Sequence, residues 1–196
     1  MLVVGIVGGI GAGKTEVLRL LAAHGAAALA ADELNREALA PGQPTLAAIR
    51  EAFGDGYFDE QGGLRRQKLG DLIFGDAAAR DRLERLVHPV MCRLLGERLA
   101  QWRRAGVAVA AVEAAVLERM GALDLVDRVL LVTAPAEQRV RRLTQRDGLS
   151  AAQAAARLRS QEQLGLDRPR ADYVIVNDGE LSDLSRKVEL FWTTLV

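Results

Sequence analysis

Leu2 to Val7 is an unbroken apolar, β-branched run that ends in glycines, the pattern of a strand buried on both faces of a parallel sheet. A helix is expected to start near Lys14, with Val17, Leu18, Leu20 and Leu21 as its apolar face and His24-Gly25 as its end. Strand, loop and helix open a βαβ unit. Ala26 to Ala31 reads as a second, alanine-rich strand delivering Asp32 and Glu33 at its carboxyl end, where open α/β sheets keep their ligand crevice. From Asn35 to Arg104 the periodicity is helical, with no evident strand, and is broken at Pro41-Gly42, Gly54-Asp55-Gly56 and Gly62-Gly63. Strands return at Val107 to Val112 and Arg128 to Thr133, with a helix expected between them over Val116 to Leu125. Pro135 then opens a basic helix carrying Arg139, Arg141, Arg142 and Arg146. Gly148-Leu149-Ser150 forms a turn whose serine caps a helix over Ala151 to Gln163. Tyr173 to Val176 is a fifth strand, and Leu181 to Leu195 a closing helix after the turn at Asp178-Gly179.

The pattern predicts an α/β protein: one three-layer domain with a five-stranded parallel sheet flanked by helices. Its core is expected over residues 1–31, 105–134 and 169–196, a helical insertion over about 32–104, and an arginine-bearing lid over about 135–168.

Gly8-Gly9-Ile10-Gly11-Ala12-Gly13-Lys14-Thr15 matches G-x-x-x-x-G-K-[ST] at every fixed position, between a predicted strand and a predicted helix. In this motif successive backbone N–H groups, here from Gly9 to Thr15, point into one concavity, and the helix N-terminus adds partial positive charge. Lys14 would reach the β- and γ-phosphates, and the Thr15 hydroxyl would ligate Mg²⁺. A bare tight turn needs no lysine followed by threonine in this register. A guanine-reading N-K-x-D segment is missing, since Asn177-Asp178-Gly179-Glu180 supplies no lysine, and ATP is the nucleotide expected.

The chain has 196 residues, 49% of them hydrophobic, enough for one enzyme domain with a sizeable core. Lys plus Arg and Asp plus Glu both count 26, so no net field draws the molecule toward nucleic acid or an anionic membrane, and any anion site has to be local. The single cysteine, Cys92, excludes an intrachain disulfide framework and is expected as a buried small hydrophobe. Met1 to Ile10 is apolar but lacks a basic leader and runs into the phosphate motif, so it is expected to stay on the mature protein. Val107 to Val112 is far shorter than the roughly 20 residues a membrane span needs. A cytoplasmic enzyme is expected, with small molecules as partners, and neither nucleic acid nor membrane.

A series of segments in order resembles the dephospho-CoA kinase family over almost the whole chain. The phosphate loop is similar to that family's G-G-I-G-S-G-K-S. Ala31-Asp32-Glu33-Leu34 falls at its D-A-D-E segment, followed by Pro41-Gly42. Phe53-Gly54, Gly63-Leu64-Arg65-Arg66, Leu69, Ile73-Phe74, Leu83-Glu84 and His88-Pro89 continue the series. Leu117-Glu118, Gln138-Arg139, Arg142, Arg146-Asp147, Gln161, Ala171-Asp172-Tyr173-Val174-Ile175 and Asn177 complete it. There are departures. Ala30 replaces the first aspartate of D-A-D, so that carboxylate is not essential here, and Ala114-Ala115-Val116-Leu117-Glu118 stands for P-L-L-F-E. Asp167, with Arg168 after it, occupies a position that is commonly basic in the family.

The resemblance implies a P-loop kinase that uses Mg²⁺ and ATP to phosphorylate the 3′-hydroxyl of dephospho-CoA, the last step of coenzyme A biosynthesis. It casts Asp32 as the group that orients and deprotonates the acceptor hydroxyl; the other reading is a cap on a helix beginning at Glu33. Arg139, Arg142 and Arg146, spaced by three and four, share a helix face and are expected to meet a polyphosphate together, Arg142 and Arg146 foremost, while Arg141 is solvated. Arg66 is expected to pair with an acceptor phosphate. His88, at an expected helix start, either touches the acceptor or is structural, and Asn177 either lies near the adenine or is a turn residue. Glu113 is a candidate to hold a magnesium-bound water, whereas Glu118, His24, Trp102 and Trp192 read as structural. The alternatives are another small-molecule kinase, of nucleoside monophosphate or shikimate type, and a non-catalytic ATP-binding switch.

Overall fold

A computed structural model describes residues 1–163 and 171–196. The chain divides into two compact units, one made of Met1–Ala30 and Leu99–Val196, the other of Ala31–Arg98.

The first unit is built on a five-stranded, all-parallel sheet in the order β2-β3-β1-β4-β5. Its strands are β1 Leu2–Val7, β2 Ala27–Ala30, β3 Val109–Glu113, β4 Arg128–Thr133 and β5 Tyr173–Val176. Central β1 is buried on both faces, as its continuous β-branched sequence requires, with Val3, Val4 and Ile6 inaccessible. Helix α1 (Lys14–Ala23) lays Val17, Leu18, Leu20 and Leu21 into the core. The C-terminal helix, labelled α8 (Leu181–Trp192), adds Leu184, Val188 and Phe191 to the same cluster. A mutual pair of side-chain to backbone hydrogen bonds between Glu180 and Asp183 caps α8. The strand registers bring the carboxyl ends of β1 to β5 to one edge, and the segments after Val7, Glu113 and Val176 leave from it.

Two expected boundaries are corrected. The second strand stops at Ala30, and Ala31 already starts α2 (Ala31–Ala38), so Asp32 lies inside the first helical turn and does not cap a helix that begins at Glu33. No continuous helix forms over Val116 to Leu125. The chain makes turns closed by Met120 N–H to Val116 O and Ala122 N–H to Leu117 O, then a 3₁₀ turn at Leu123–Leu125. Gly121, at φ 70°, has the left-handed backbone that ends helices. Leu117 is fully buried against Gly5 of β1, where a Cβ would lie 2.6 Å from Leu117 Cδ2. Glycine in the central strand thus makes room for the segment after β3.

In the second unit α2 is followed by α3 (Pro44–Phe53), α4 (Arg66–Gly75) and the larger part of α5 (Ala77–Arg104). It also holds one isolated antiparallel bridge, Phe58 to Leu64, which the sequence pattern does not signal. Asp59 closes that loop by accepting from Gly63 N–H at 2.7 Å, and Arg50 stacks its guanidinium over Phe58 at 4.3 Å.

His88 does not start a helix: it and Pro89 lie in the middle of the 28-residue α5. Proline inside a helix costs about 3 kcal/mol. The apolar residues Val87, Met91, Leu94 and Leu95 are buried on both sides of it, and each buried side chain of this size returns about 1.5–3 kcal/mol, so burial outweighs the break. Cys92, half-buried in α5, is a thiol whose pKa burial pushes up.

Helices α6 (Ala136–Asp147) and α7 (Ala151–Gln163) belong to the first unit and pack through Leu143, Ala154 and Leu158. Gly148 in the left-handed conformation ends α6. Ser150 and Gln153 exchange backbone-to-side-chain hydrogen bonds at the start of α7. The expected lid overlaps this pair, but its last part, with Asp167 and Arg168, lies outside the described residues.

Candidate active site

The loop after β1 turns at glycines with positive φ, namely Gly8 (140°), Gly11 (76°) and Gly13 (100°), and two of them face neighbours that no side chain could share. A Cβ on Gly8 would overlap Val132 O of β4, and one on Gly13 would overlap Asn177 Nδ2. Gly8→Ala is expected to destabilise the fold by about 3 kcal/mol through overlap and backbone strain together, read by denaturant unfolding. A loss under about 1 kcal/mol would show that the loop yields easily.

Lys14 starts α1 and donates through Nζ to Gly9 O at 3.1 Å, so its ammonium is folded over the loop that carries it. Thr15 Oγ1 donates to Glu113 Oε1 at 3.3 Å across the carboxyl edge of the sheet. Hydroxyl and carboxylate are the hard oxygen donors that a small divalent cation takes alongside phosphate and water oxygens. Among the described residues no cluster of three His, Cys, Asp or Glu could hold a metal on its own. Thr15 and Glu113 therefore suit a cation that arrives with a nucleotide, the form in which a kinase receives its divalent metal.

The outer side of the loop is gripped by side chains from α6 and from the turn after β5. Arg139, nearly fully buried, donates from Nε to Ile10 O at 2.9 Å. Arg142 reaches Gly11 O at 3.2 Å and Ala12 O at 3.3 Å from Nη1. Its Nη2 donates to Gln138 Oε1, Asn177 O and Asn177 Oδ1, each at 3.2 Å. Burial lowers the Arg142 pKa from its ordinary value, a group still charged at any physiological pH. Asn177 is buried and donates from Nδ2 to Ala12 O at 2.8 Å, so both ends of its amide are engaged inside the protein. Arg146 makes a two-pronged pair with Asp147, at 2.6 and 3.0 Å, whose hydrogen bonds hold that carboxyl below its ordinary pKa. Of the three arginines expected to meet one polyphosphate, Arg139 and Arg142 thus donate to carbonyls of the phosphate loop and Arg146 to Asp147.

Three residues expected to serve the acceptor belong to the second unit. Asp32 is exposed in the first turn of α2, Arg66 starts α4 and donates to Leu39 O at 3.4 Å, and His88 is half-buried in α5. Asp32 follows Ala30, the register partner of Glu113, by two residues. Gln138 and Gln161, which the resemblance series includes without a role, turn out to have partners at the loop and its neighbours. Gln138 ties Arg142 to Asp178 O, and Gln161 accepts from Ile10 N–H. Polar side chains on helices carry no sequence sign that they turn toward a backbone.

A glycine-rich loop leading into a helix at the carboxyl edge of an all-parallel sheet, with a lysine and a threonine at its end, defines a P-loop kinase fold. A model of the dephospho-CoA kinase family matches residues 2–183. A dephospho-CoA kinase of Geobacter sulfurreducens is 42% identical over 192 residues, which cover 98% of each chain. One of Frankia casuarinae is 41% identical over 196 residues, all of this chain and 84% of that one. A solved structure from Thermus thermophilus superposes with a TM-score of 0.76 at 32% identity, covering 100% of this chain and 98% of the other. The chain belongs to the dephospho-CoA kinase family. Among the described residues, no helix is long and apolar enough to cross a membrane.

Proposed function

We infer that this chain transfers the γ-phosphate of ATP to the 3′-hydroxyl of dephospho-CoA, giving ADP and CoA, as the last step of coenzyme A biosynthesis. The observation that carries this reading is the family match over residues 2–183, with every fixed position of the phosphate loop retained. With the family assigned, shikimate and nucleoside monophosphates lose their claim as acceptors, and a switch without turnover loses its support.

The transfer forms a bond between the acceptor 3′-oxygen and the γ-phosphorus. It breaks the bond from that phosphorus to the β–γ bridging oxygen, whose electron pair leaves with ADP. Such a reaction depends mainly on positioning and on stabilising charge. In the proposed scheme the loop from Gly9 to Thr15 holds the phosphates through the N–H groups of Gly9, Gly11, Gly13, Lys14 and Thr15, while those of Ile10 and Ala12, expected to join them, are engaged by Gln161 and by Gly9 O. Lys14 meets the charge on the β- and γ-oxygens. The Thr15 hydroxyl would hold Mg²⁺, with Glu113 beside it to hold a water of that ion, and the cation would supply neutralisation of part of that charge. Asp32 orients the acceptor hydroxyl and takes its proton. Arg66 and His88 contact the acceptor, Arg66 by pairing with a phosphate.

Helices α6 and α7 act as the lid in this scheme, excluding water that would waste ATP. Arg146 turns from Asp147 to the phosphates. Arg142 supports the nucleotide from its place against the loop, and Asn177 fixes the loop's Ala12 carbonyl and acts beside the adenine site. The enzyme works in the cytoplasm on small molecules, with neither nucleic acid nor membrane as partner.

The test is ADP release from Mg·ATP with dephospho-CoA, AMP, shikimate or no acceptor. Turnover stimulated by dephospho-CoA alone is expected. Tight ATP binding with no acceptor-stimulated turnover would overturn the assignment.

A further inference from the structure

Ile10, the third residue of the phosphate loop, is held by α6 and α7 at three points. Its carbonyl accepts from Arg139 of α6, its N–H donates to the side-chain oxygen of Gln161 on α7, and its side chain packs on Leu143, Ala154 and Leu158 where those helices meet. The Gly9–Ile10 peptide is therefore fixed at both ends. Gln161 takes its N–H, and its C=O accepts from Lys14 Nζ at 3.1 Å and from Ala12 N–H at 3.2 Å.

A peptide is planar, so an acceptor on one side fixes the direction of the group on the other. We propose that Gln161 is a positioning residue for ATP binding: by holding the Ile10 N–H it sets the plane of the Gly9–Ile10 peptide and, through that peptide, the place of the Lys14 ammonium. The next three carbonyls follow the same logic. Those of Ile10, Gly11 and Ala12 are taken by Arg139, Arg142 and Asn177, which directs the N–H groups of Gly11 and Gly13 to the opposite side, while that of Ala12 turns back to Gly9 O. An anion-binding cradle preformed in this way needs little reordering when the phosphates arrive.

This rests on the kinase reading above, but its test does not require turnover. The intact protein and Gln161→Met, which keeps the side-chain length and removes the acceptor, are compared by calorimetric titration with Mg·ATP and by amide exchange at Ile10. Loss of this hydrogen bond is expected to weaken ATP binding about tenfold and to abolish slow exchange at Ile10. Gln161→Asn, which withdraws the amide by one methylene, is expected to do the same, and it replaces the methionine variant should that one fail to fold. In turnover assays KM for ATP rises while KM for dephospho-CoA stays within about twofold, a split that general loss of structure would not produce. Unchanged ATP affinity, or weakened affinity with Ile10 exchange still slow, would overturn the proposal. A wild-type protein that binds ATP and does not phosphorylate dephospho-CoA would strike the kinase reading alone.

Discussion

Asp32→Asn is expected to lower kcat by about 10²–10⁴-fold, the usual contribution of a positioned general base, with KM for ATP within about threefold of wild type. Asparagine keeps the size of the side chain and its capacity to hydrogen-bond, but it cannot take the acceptor's proton. Asp32 is exposed in the first turn of α2, so the exchange disturbs no packing. What structure loses is the interaction of a carboxylate with a helix N-terminus, about 0.3–1 kcal/mol, too little to unfold a domain of this size. Steady-state kinetics with dephospho-CoA, alongside thermal melting, separates the two roles. A drop in kcat below about tenfold would leave Asp32 as a helix-terminal residue and nothing more.

Lys14→Met is expected to lower kcat/KM for ATP by about 10³-fold, comparable with removal of a group that stabilises charge in the transition state. The methionine retains much of the aliphatic stem, and the ammonium lies over the phosphate loop, donating to Gly9 O, rather than in the buried core. Stability should therefore change far less than activity. Lys14→Arg is not expected to rescue, because a planar guanidinium does not replace a compact ammonium folded over a loop this tight. Activity within tenfold of wild type in Lys14→Met would remove the lysine from the proposed scheme.

The parts of the fold that were legible in the sequence are those where one strong local preference acts alone. The β-branched run at Leu2–Val7, the helix from Lys14, the strand at Arg128–Thr133 and the turn before α7 all stand as read. The third strand was legible with its bounds shifted, expected over Val107 to Val112 and found over Val109–Glu113, and the phosphate loop was legible because its chemistry constrains every position. The misreadings occur where long-range packing decides. Val116–Leu125 has helical composition, but burying Leu117 over Gly5 bends it into turns. The sequence pattern puts His88, next to Pro89, at a helix start, and buried neighbours carry α5 through both. At the site, the spacing of Arg139, Arg142 and Arg146 correctly gave a basic helix. It could not reveal that Arg139 and Arg142 turn toward carbonyls of the phosphate loop, since those partners are about 130 residues away in sequence.

β1 is the middle strand of the sheet, and both of its neighbours come late: Leu2 pairs with Val109 and Val4 with Arg128. During synthesis the segment that carries the phosphate loop is made early and then stays unpaired until β3 and β4 have emerged, while the intervening helices can already form from local contacts. Parallel pairing across such separations is slow because a large loop must close before any ladder bond forms. For that interval an apolar strand is open to other nascent chains, so the yield of active enzyme should depend on growth temperature and chaperone supply more steeply than its final stability would suggest.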